Sequence, residues 1–254
     1  MFDSGVGGLS VLKAFRQLAP NERVVYFADT AFFPYGPRPA AEVRKRSFAI
    51  AHRLVRSGVK LIVVACNTAS AAALPDLREA FPVPFVGMVP GVKPAAQGSR
   101  SGHVAILATP GTFDGGLFGR VVEEFGRGTR IATVPGAGLA ELVESGGAGT
   151  DAARGAIRAL LAPEVEAGAD TVVLGCTHYA FLADDIRAAF PRLTIIDTSD
   201  AVARRAVQLL GEQDLRAPAH LSGELDLIVS GDRERFKEAM RGLGFAPAPV
   251  EAWS

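Results

Sequence analysis

The sequence holds only two cysteines in 254 residues, and they form no Cys-x-x-Cys motif. That excludes a disulfide-stapled scaffold and argues against a thiol redox protein. Two cysteines and four scattered histidines give no zinc-site spacing, so no metal is expected. Neither sign of charge is in excess, with 27 Lys and Arg against 27 Asp and Glu. Without a basic stripe or an acidic tail, nucleic acid is not an expected partner. The apolar runs are strand-sized and far short of a membrane span. The start lacks the basic, then apolar, then small-residue pattern of a secretory leader. The expected location is therefore the cytoplasm, with both thiols reduced.

What is present is a chain 48% hydrophobic, enough to bury one large core or two modest ones. Its two cysteines sit in two versions of one phrase. The first runs from Gly58 through Leu61-Ile-Val-Val-Ala65 to Cys66-Asn67-Thr68. The second runs from Gly168 through Thr171-Val-Val-Leu-Gly175 to Cys176-Thr177-His178. A β-branched run bounded by glycine reads as a buried strand. Each thiol then lies at the carboxyl end of a strand, where open α/β sheets place their ligands.

Strand and helix patterns alternate along the chain. Strands are expected over Val24–Asp29, Leu61–Cys66, Val83–Met88, His103–Thr109, Arg130–Pro135, Thr171–Cys176, Leu193–Asp197 and Leu225–Ser230. Helices are expected over Pro39–Ser57, Thr68–Phe81 with an interruption at Pro75, Phe113–Phe125, Leu139–Ser145, Ala152–Ala167, Phe181–Phe190, Asp200–Leu210 with Asp200 as cap, and Arg233–Leu243. The alternation predicts an α/β fold with mainly parallel sheets, and the break near residues 90–102 together with the echo of the cysteine phrase argues for two similar domains. Punctuation near residues 90–102 places the first domain at 1–92 plus about 204–254, and the second at 93–203. Only two residues precede the turn Asp3-Ser-Gly-Val-Gly-Gly8, fewer than a central strand normally has.

That glycine-rich turn could cradle an anion such as a carboxylate on its backbone amides. It fails as a dinucleotide motif, because Ser10 stands where the third glycine belongs. The Phe33-Pro-Tyr-Gly-Pro-Arg-Pro39 loop could grip a small polar ligand with its phenol and amides. Thr68 or Ser70 could cap the helix after Cys66, and a thiol at such a helix start has its thiolate stabilised. In an extended stretch residues 176 and 178 share a side, so His178 could exchange protons with Cys176. Ala108-Thr-Pro-Gly-Thr112 is a further strand-end turn with hydroxyls.

Two thiols facing one pocket suit inversion at a weakly acidic carbon. One thiolate removes a proton from one face, and the opposite thiol delivers one to the other. Preorganised donors would stabilise the charge that develops on the neighbouring carboxylate. None of Lys13, Lys45, Lys60, Lys93 and Lys237 lies at an evident strand-end pocket, so no pyridoxal cofactor is expected.

Four segments together, Phe2-Asp-Ser-Gly-Val-Gly-Gly-Leu9, Pro34-Tyr-Gly36, Ala65-Cys-Asn-Thr-Ala-Ser70 and Leu174-Gly-Cys-Thr-His-Tyr179, resemble the glutamate racemases. The related aspartate racemases also pair two cysteines, but Ser70 and His178 favour the glutamate branch. The resemblance implies a cofactor-independent isomerase that supplies D-glutamate for peptidoglycan and commonly forms a homodimer. It implies two α/β domains related by a pseudo-twofold, with the active site between them. It makes Cys66 and Cys176 the acid/base pair, with Asp3 assisting the first and Glu144 and His178 the second. It implies substrate contacts from Asp3, Ser4, Tyr35, Gly36, Asn67, Thr68, Thr112, Thr177 and His178. Family members usually have proline where Ala180 stands, and more apolar residues before Phe2. The alternatives are a racemase for aspartate or another amino acid, and a two-lobed amino-acid binding protein without chemistry.

Overall fold

The computed structural model describes residues 1–114 and 116–253. The chain opens with β1 (Phe2–Asp3), α1 (Leu9–Leu18), β2 (Val24–Ala28), α2 (Ala40–Arg56), β3 (Ile62–Val64), α3 (Asn67–Ala80) and β4 (Phe85–Gly87). A second round follows with α4 (Val92–Gly98), β5 (His103–Ala108), α5 (Pro110–Phe113), α6 (Gly116–Phe125), β6 (Arg130–Pro135), α7 (Leu139–Glu144), α8 (Asp151–Glu166) and β7 (Thr171–Gly175). After a 3-10 turn at Thr177–Leu182 come α9 (Ala183–Ala189), β8 (Thr194–Ile196), α10 (Ser199–Glu212), β9 (Leu225–Val229), α11 (Arg233–Gly242) and β10 (Val250–Ala252).

The strands form two parallel sheets, as the alternation of strand and helix predicts. One has the order β10-β9-β2-β1-β3-β4 and the other β6-β5-β7-β8. Read in chain order, the stretches β2-β1-β3-β4 and β6-β5-β7-β8 are the same arrangement. Cys66 and Cys176 follow the third strand of that arrangement in each sheet. Both central strands of the second sheet, β5 and β7, are buried throughout. Helices covering both faces of a parallel sheet account for these unbroken apolar runs.

β1 is present as a strand despite its two residues. Phe2 pairs with Phe27 on one side and Val64 on the other, and Asp3 pairs with Ala28. This double pairing fixes Asp3 between the two neighbouring strand ends. At the opposite end of the sheet β2 and β3 extend past β1, and a cavity of about 590 Å3 lies beside Met1, Val25 and Val63.

Several elements differ from expectation. α3 runs through Pro75 without interruption. A proline inside a helix removes one backbone bond, and packing of Ala73, Leu74 and Leu77 in the core holds the helix together. The helix foreseen at Phe113–Phe125 is two pieces, α5 and α6, and residue 115 within it lies outside the described residues. Asp200 does not cap α10: Thr198 occupies the cap position, and Asp197 just before it accepts from Ser199 N through Oδ1 at 3.1 Å. Neither Thr68 nor Ser70 caps α3, because Cys66 itself occupies the cap position. Ser70 instead ties β3 to the end of β4, donating to Val64 O and accepting from Met88 N at 2.9 Å. The last strand, β10, has no expected counterpart.

Candidate active site

Five chain segments converge where the carboxyl ends of the two sheets meet. From the first sheet come Asp3-Ser4 after β1, the loop Phe33–Gly36 after β2, and Cys66-Asn67-Thr68 after β3. The second contributes Thr109–Thr112 after β5 and Cys176-Thr177-His178 after β7. Glu144 arrives from the end of α7. All the predicted site residues thus lie on this seam, and hydrogen bonds cross it. Thr177 Oγ1 donates to Asp3 Oδ2 at 3.0 Å. Gly111 N donates to Gly36 O at 3.1 Å. Thr68 Oγ1 and Thr109 Oγ1 are 2.8 Å apart, and Thr109 Oγ1 lies 3.0 Å from Thr112 Oγ1. Thr109 is the linking hydroxyl of this cluster, and the Ala108–Thr112 turn was its only sequence signal.

Both cysteines are free thiols. Burial pushes the Cys66 thiol well above its ordinary pKa. Next, the Asp3 carboxylate raises it further, and a negative charge on Cys176 does so too. The Ala69 amide at the start of α3 pulls the other way. Burial therefore outweighs the helix start at Cys66, contrary to the expectation that the helix would favour a thiolate. A buried thiol beside the Asp3 carboxylate is a proton donor in waiting.

The surroundings of Cys176 are different. Residues 176–178 are not an extended stretch, since the 3-10 turn starts at Thr177. The turn still brings His178 Nδ1 to 3.8 Å from Cys176 Sγ. On its other side His178 Nε2 lies 2.8 Å from Glu144 Oε1. Burial of His178 favours its neutral form, but the hydrogen bonds and charges of Cys176 and Glu144 outweigh it. The net result is a pKa well above the ordinary histidine value. Asp3 is also pushed up, chiefly by burial, against the opposing charge of His178 and bonds from Ser4 and Thr177.

This has a consequence for stability. A histidine with a raised folded-state pKa contributes stability in full below its unfolded value, about 6.5. That contribution is lost as pH rises through the folded value. In Glu144→Gln the carboxylate no longer holds the His178 proton. The alkaline loss of stability should therefore begin at lower pH than in the parent. Denaturant titrations from about pH 6 to pH 10 measure it; identical curves would show that Glu144 does not hold that proton.

The glycine-rich turn does bind a carboxylate, and the carboxylate is the protein's own. Val6 N donates to Glu144 Oε1 at 2.7 Å, joining residues far apart in sequence. The Tyr35 phenol is likewise engaged within the protein. It donates to Asp29 Oδ2 at 2.5 Å, so the loop presents backbone and ring faces to the seam. Phe33 packs against His178 with ring centroids 5.4 Å apart.

Asn67 is the exception in a region of paired groups. Its side chain is buried, and neither amide atom has a hydrogen-bond partner among the described residues. Buried polar groups are normally satisfied, so this amide is placed to meet a ligand. Among the described residues, no three His, Cys, Asp or Glu side chains converge to hold a metal ion.

The sequence pattern shared by Asp/Glu/hydantoin racemases matches residues 8–206. The chain belongs to that family. The family's enzymes are isomerases, and this chain is an amino-acid racemase by membership. The glutamate racemase of Roseiflexus sp. (strain RS-1) is 45% identical over 254 residues, covering 99% of this chain and 93% of the relative. The crystal structure of glutamate racemase from Thermus thermophilus in complex with β-chloro-D-alanine superposes with a TM-score of 0.88. It is 38% identical, covering 100% of this chain and 95% of that one. The Escherichia coli glutamate racemase, solved with L-glutamate and the activator UDP-MurNAc-Ala, gives a TM-score of 0.86. It is 35% identical, covering 99% and 96%. As in these racemases, the chain folds as two α/β units, and among the described residues no helix is long and apolar enough to cross a membrane.

Proposed function

We propose that this protein is a cofactor-independent glutamate racemase. It interconverts L- and D-glutamate by two-base proton transfer between Cys66 and Cys176. The carrying observation is the matched placement of the two free thiols, after equivalent strands of two sheets that share one strand order. The thiolate on one side takes the α-proton, and the thiol on the other delivers a proton to the opposite face. Asp3 assists Cys66, and His178, held by Glu144, exchanges protons with Cys176. The Asn67 amide, the hydroxyls of Ser4, Thr68, Thr112 and Thr177, and the Tyr35-Gly36 backbone are the substrate contacts. In a water-poor site such preorganised donors stabilise the carbanion's carboxylate.

The two units correspond in this reading to residues 1–92 plus about 204–254, and 93–203. The chain returns within α10, which packs on α1. The resemblance further supports a cytoplasmic homodimer that supplies D-glutamate for peptidoglycan.

The test is an assay of both enantiomers of glutamate and of aspartate, in heavy water and without added cofactor. Turnover of glutamate with α-deuterium in the product supports the reading. Preference for aspartate would shift it to the related branch. Binding of glutamate without α-proton exchange would make the protein a binding protein instead.

Asn67 provides a second test. Replacing a buried unsatisfied amide by an apolar group of like shape costs little stability or adds some. We predict that Asn67→Leu melts at or above the parent temperature while kcat/KM falls about tenfold or more, ~1.4 kcal/mol of lost transition-state binding. Parallel losses in melting temperature and activity would make Asn67 structural.

A further inference from the structure

The only tryptophan in the chain, Trp253, lies beyond β10, at the edge of the six-stranded sheet. Its backbone N donates to Val229 O at 2.8 Å, so β10 extends alongside β9 as far as this residue. The indole meets Phe27 edge-on, with centroids 4.8 Å apart and planes at 83°. The guanidinium of Arg46, from α2, lies 4.1 Å from the indole centroid and 4.2 Å from the ring of Phe32. Two aromatic faces hold one cation, a contact that strengthens when the cation is shielded from water.

Arg46 is itself a fork on Asp29. Its Nε donates to Oδ2 at 2.7 Å and its Nη2 to Oδ1 at 2.6 Å. Ser230 Oγ, at the end of β9, donates to Oδ1 at 2.6 Å. The remaining bond to Oδ2 comes from the Tyr35 phenol. Asp29 is fully buried and both its oxygens are saturated. A bidentate guanidinium fixes the plane of a carboxylate as well as its position. The orientation of Tyr35 is therefore set by a carboxylate whose own plane is set by a stacked arginine.

That chain of contacts ends in the seam. Tyr35 packs in the buried cluster that includes Phe2, Val64 and Cys66. Gly36 bonds across to Gly111, and Phe33 packs on His178. The loop thus touches the surroundings of both thiols. Nothing in the acid/base scheme uses Arg46 or Trp253, yet the loop's geometry depends on them.

We propose that Trp253 and Arg46 are positioning residues of the racemase, holding Asp29 and through it Tyr35 so that loop 33–36 keeps one geometry over the thiol pair. The inference rests on the reading of Tyr35 and Gly36 as substrate contacts. Loss of one ring lets the guanidinium fork pivot, and small misplacements of a positioning loop are costly to catalysis. Because free enantiomers have equal energies, kcat/KM must fall equally in both directions.

The test compares Trp253→Ala, Trp253→Phe, Arg46→Lys and Tyr35→Phe, with a double variant Trp253→Ala/Tyr35→Phe. Trp253→Ala should raise KM for glutamate about tenfold in both directions, and Trp253→Phe should restore it to within about twofold. Arg46→Lys, which keeps the charge and loses the fork, should resemble Trp253→Ala. The double variant should be no worse than the poorer single, since both act on one path. Independent, multiplying penalties would overturn the proposal. So would a lowered melting temperature in Trp253→Ala with KM and kcat unchanged.

The lone tryptophan supplies a readout that does not require turnover. Tyr35→Phe and Arg46→Lys should each shift Trp253 fluorescence. An unshifted emission in both would sink the coupling even in an active racemase. A shifted emission in a protein that does not turn over glutamate would leave the coupling standing and remove the functional reading instead.

Discussion

Serine in place of Cys66 or Cys176 should slow glutamate racemisation about a thousandfold or more, the scale on which a positioned acid/base group contributes. A hydroxyl is a far weaker acid than a thiol and cannot take its turn as the anionic base. The double variant should be little worse than either single, because the two groups act as a unit. Heavy-water exchange makes the test sharper. Each single variant keeps one thiol on one face, so it should exchange the α-proton of one enantiomer more readily than that of the other. Cys66→Ser and Cys176→Ser should favour opposite enantiomers. Full turnover by either variant would end the two-thiol mechanism. Loss of exchange with both enantiomers in both variants would point to failed binding, which an equilibrium binding measurement would reveal.

The two thiols are matched in topology but not in tuning. Cys66 is buried beside Asp3, and burial keeps its proton on. Cys176 is half-buried and faces a histidine whose pKa is raised by its bonds to Cys176 and Glu144. A site built this way starts with unequal partners, though it must serve both directions. Burial favours the proton on Cys66, while the bonds from Cys176 and Glu144 favour a proton on His178. Binding of a zwitterion with two carboxylates changes the charge around both.

How much of this was legible depended on whether the interaction was local. The cysteine strands announced themselves because a buried parallel strand is a continuous apolar run, and both ended at Cys followed by small polar residues. The turn Asp3–Gly8 was legible as an anion site, but its anion was not, since Glu144 lies 138 residues away from Val6. Tyr35 was legible as a loop aromatic; its bond to Asp29 follows from how α2 and β9 meet the end of β2, which no local pattern encodes. Thr109 appeared only as one of several hydroxyls in a turn. β10 is three residues long, close to Pro247 and Pro249, and has too little periodicity to be read as a strand. Pro75 signalled a break, but a helix packed by Ala73, Leu74 and Leu77 tolerates the lost bond.

The glycines of the first turn matter through what approaches them, and this leads to the second large effect. A Cβ at Gly7 would lie 2.4 Å from His178 Nδ1 and 2.5 Å from Thr177 Oγ1. At Gly5 it would lie 1.8 Å from Glu144 Oε1. These are not free ends of flexible side chains: His178 is held by Glu144 and Thr177 by Asp3. Gly7→Ala must therefore push the Cys176 segment away from the first sheet. Overpacking of this kind costs about 1–3 kcal/mol of stability. Activity should fall further, about a hundredfold, because the displaced residues flank the proposed acid/base pair. Gly155→Ala is the matched control. It lies within α8 with nothing within 4 Å of its added methyl. There alanine should stabilise by about 0.5–1 kcal/mol and leave turnover at the parent level. The decisive measurement is kcat/KM of Gly7→Ala at a temperature where the variant is still fully folded. A hundredfold loss under that condition assigns the glycine to the close approach of the two halves. Parental activity would show that the seam can open by a methyl group without cost to the chemistry.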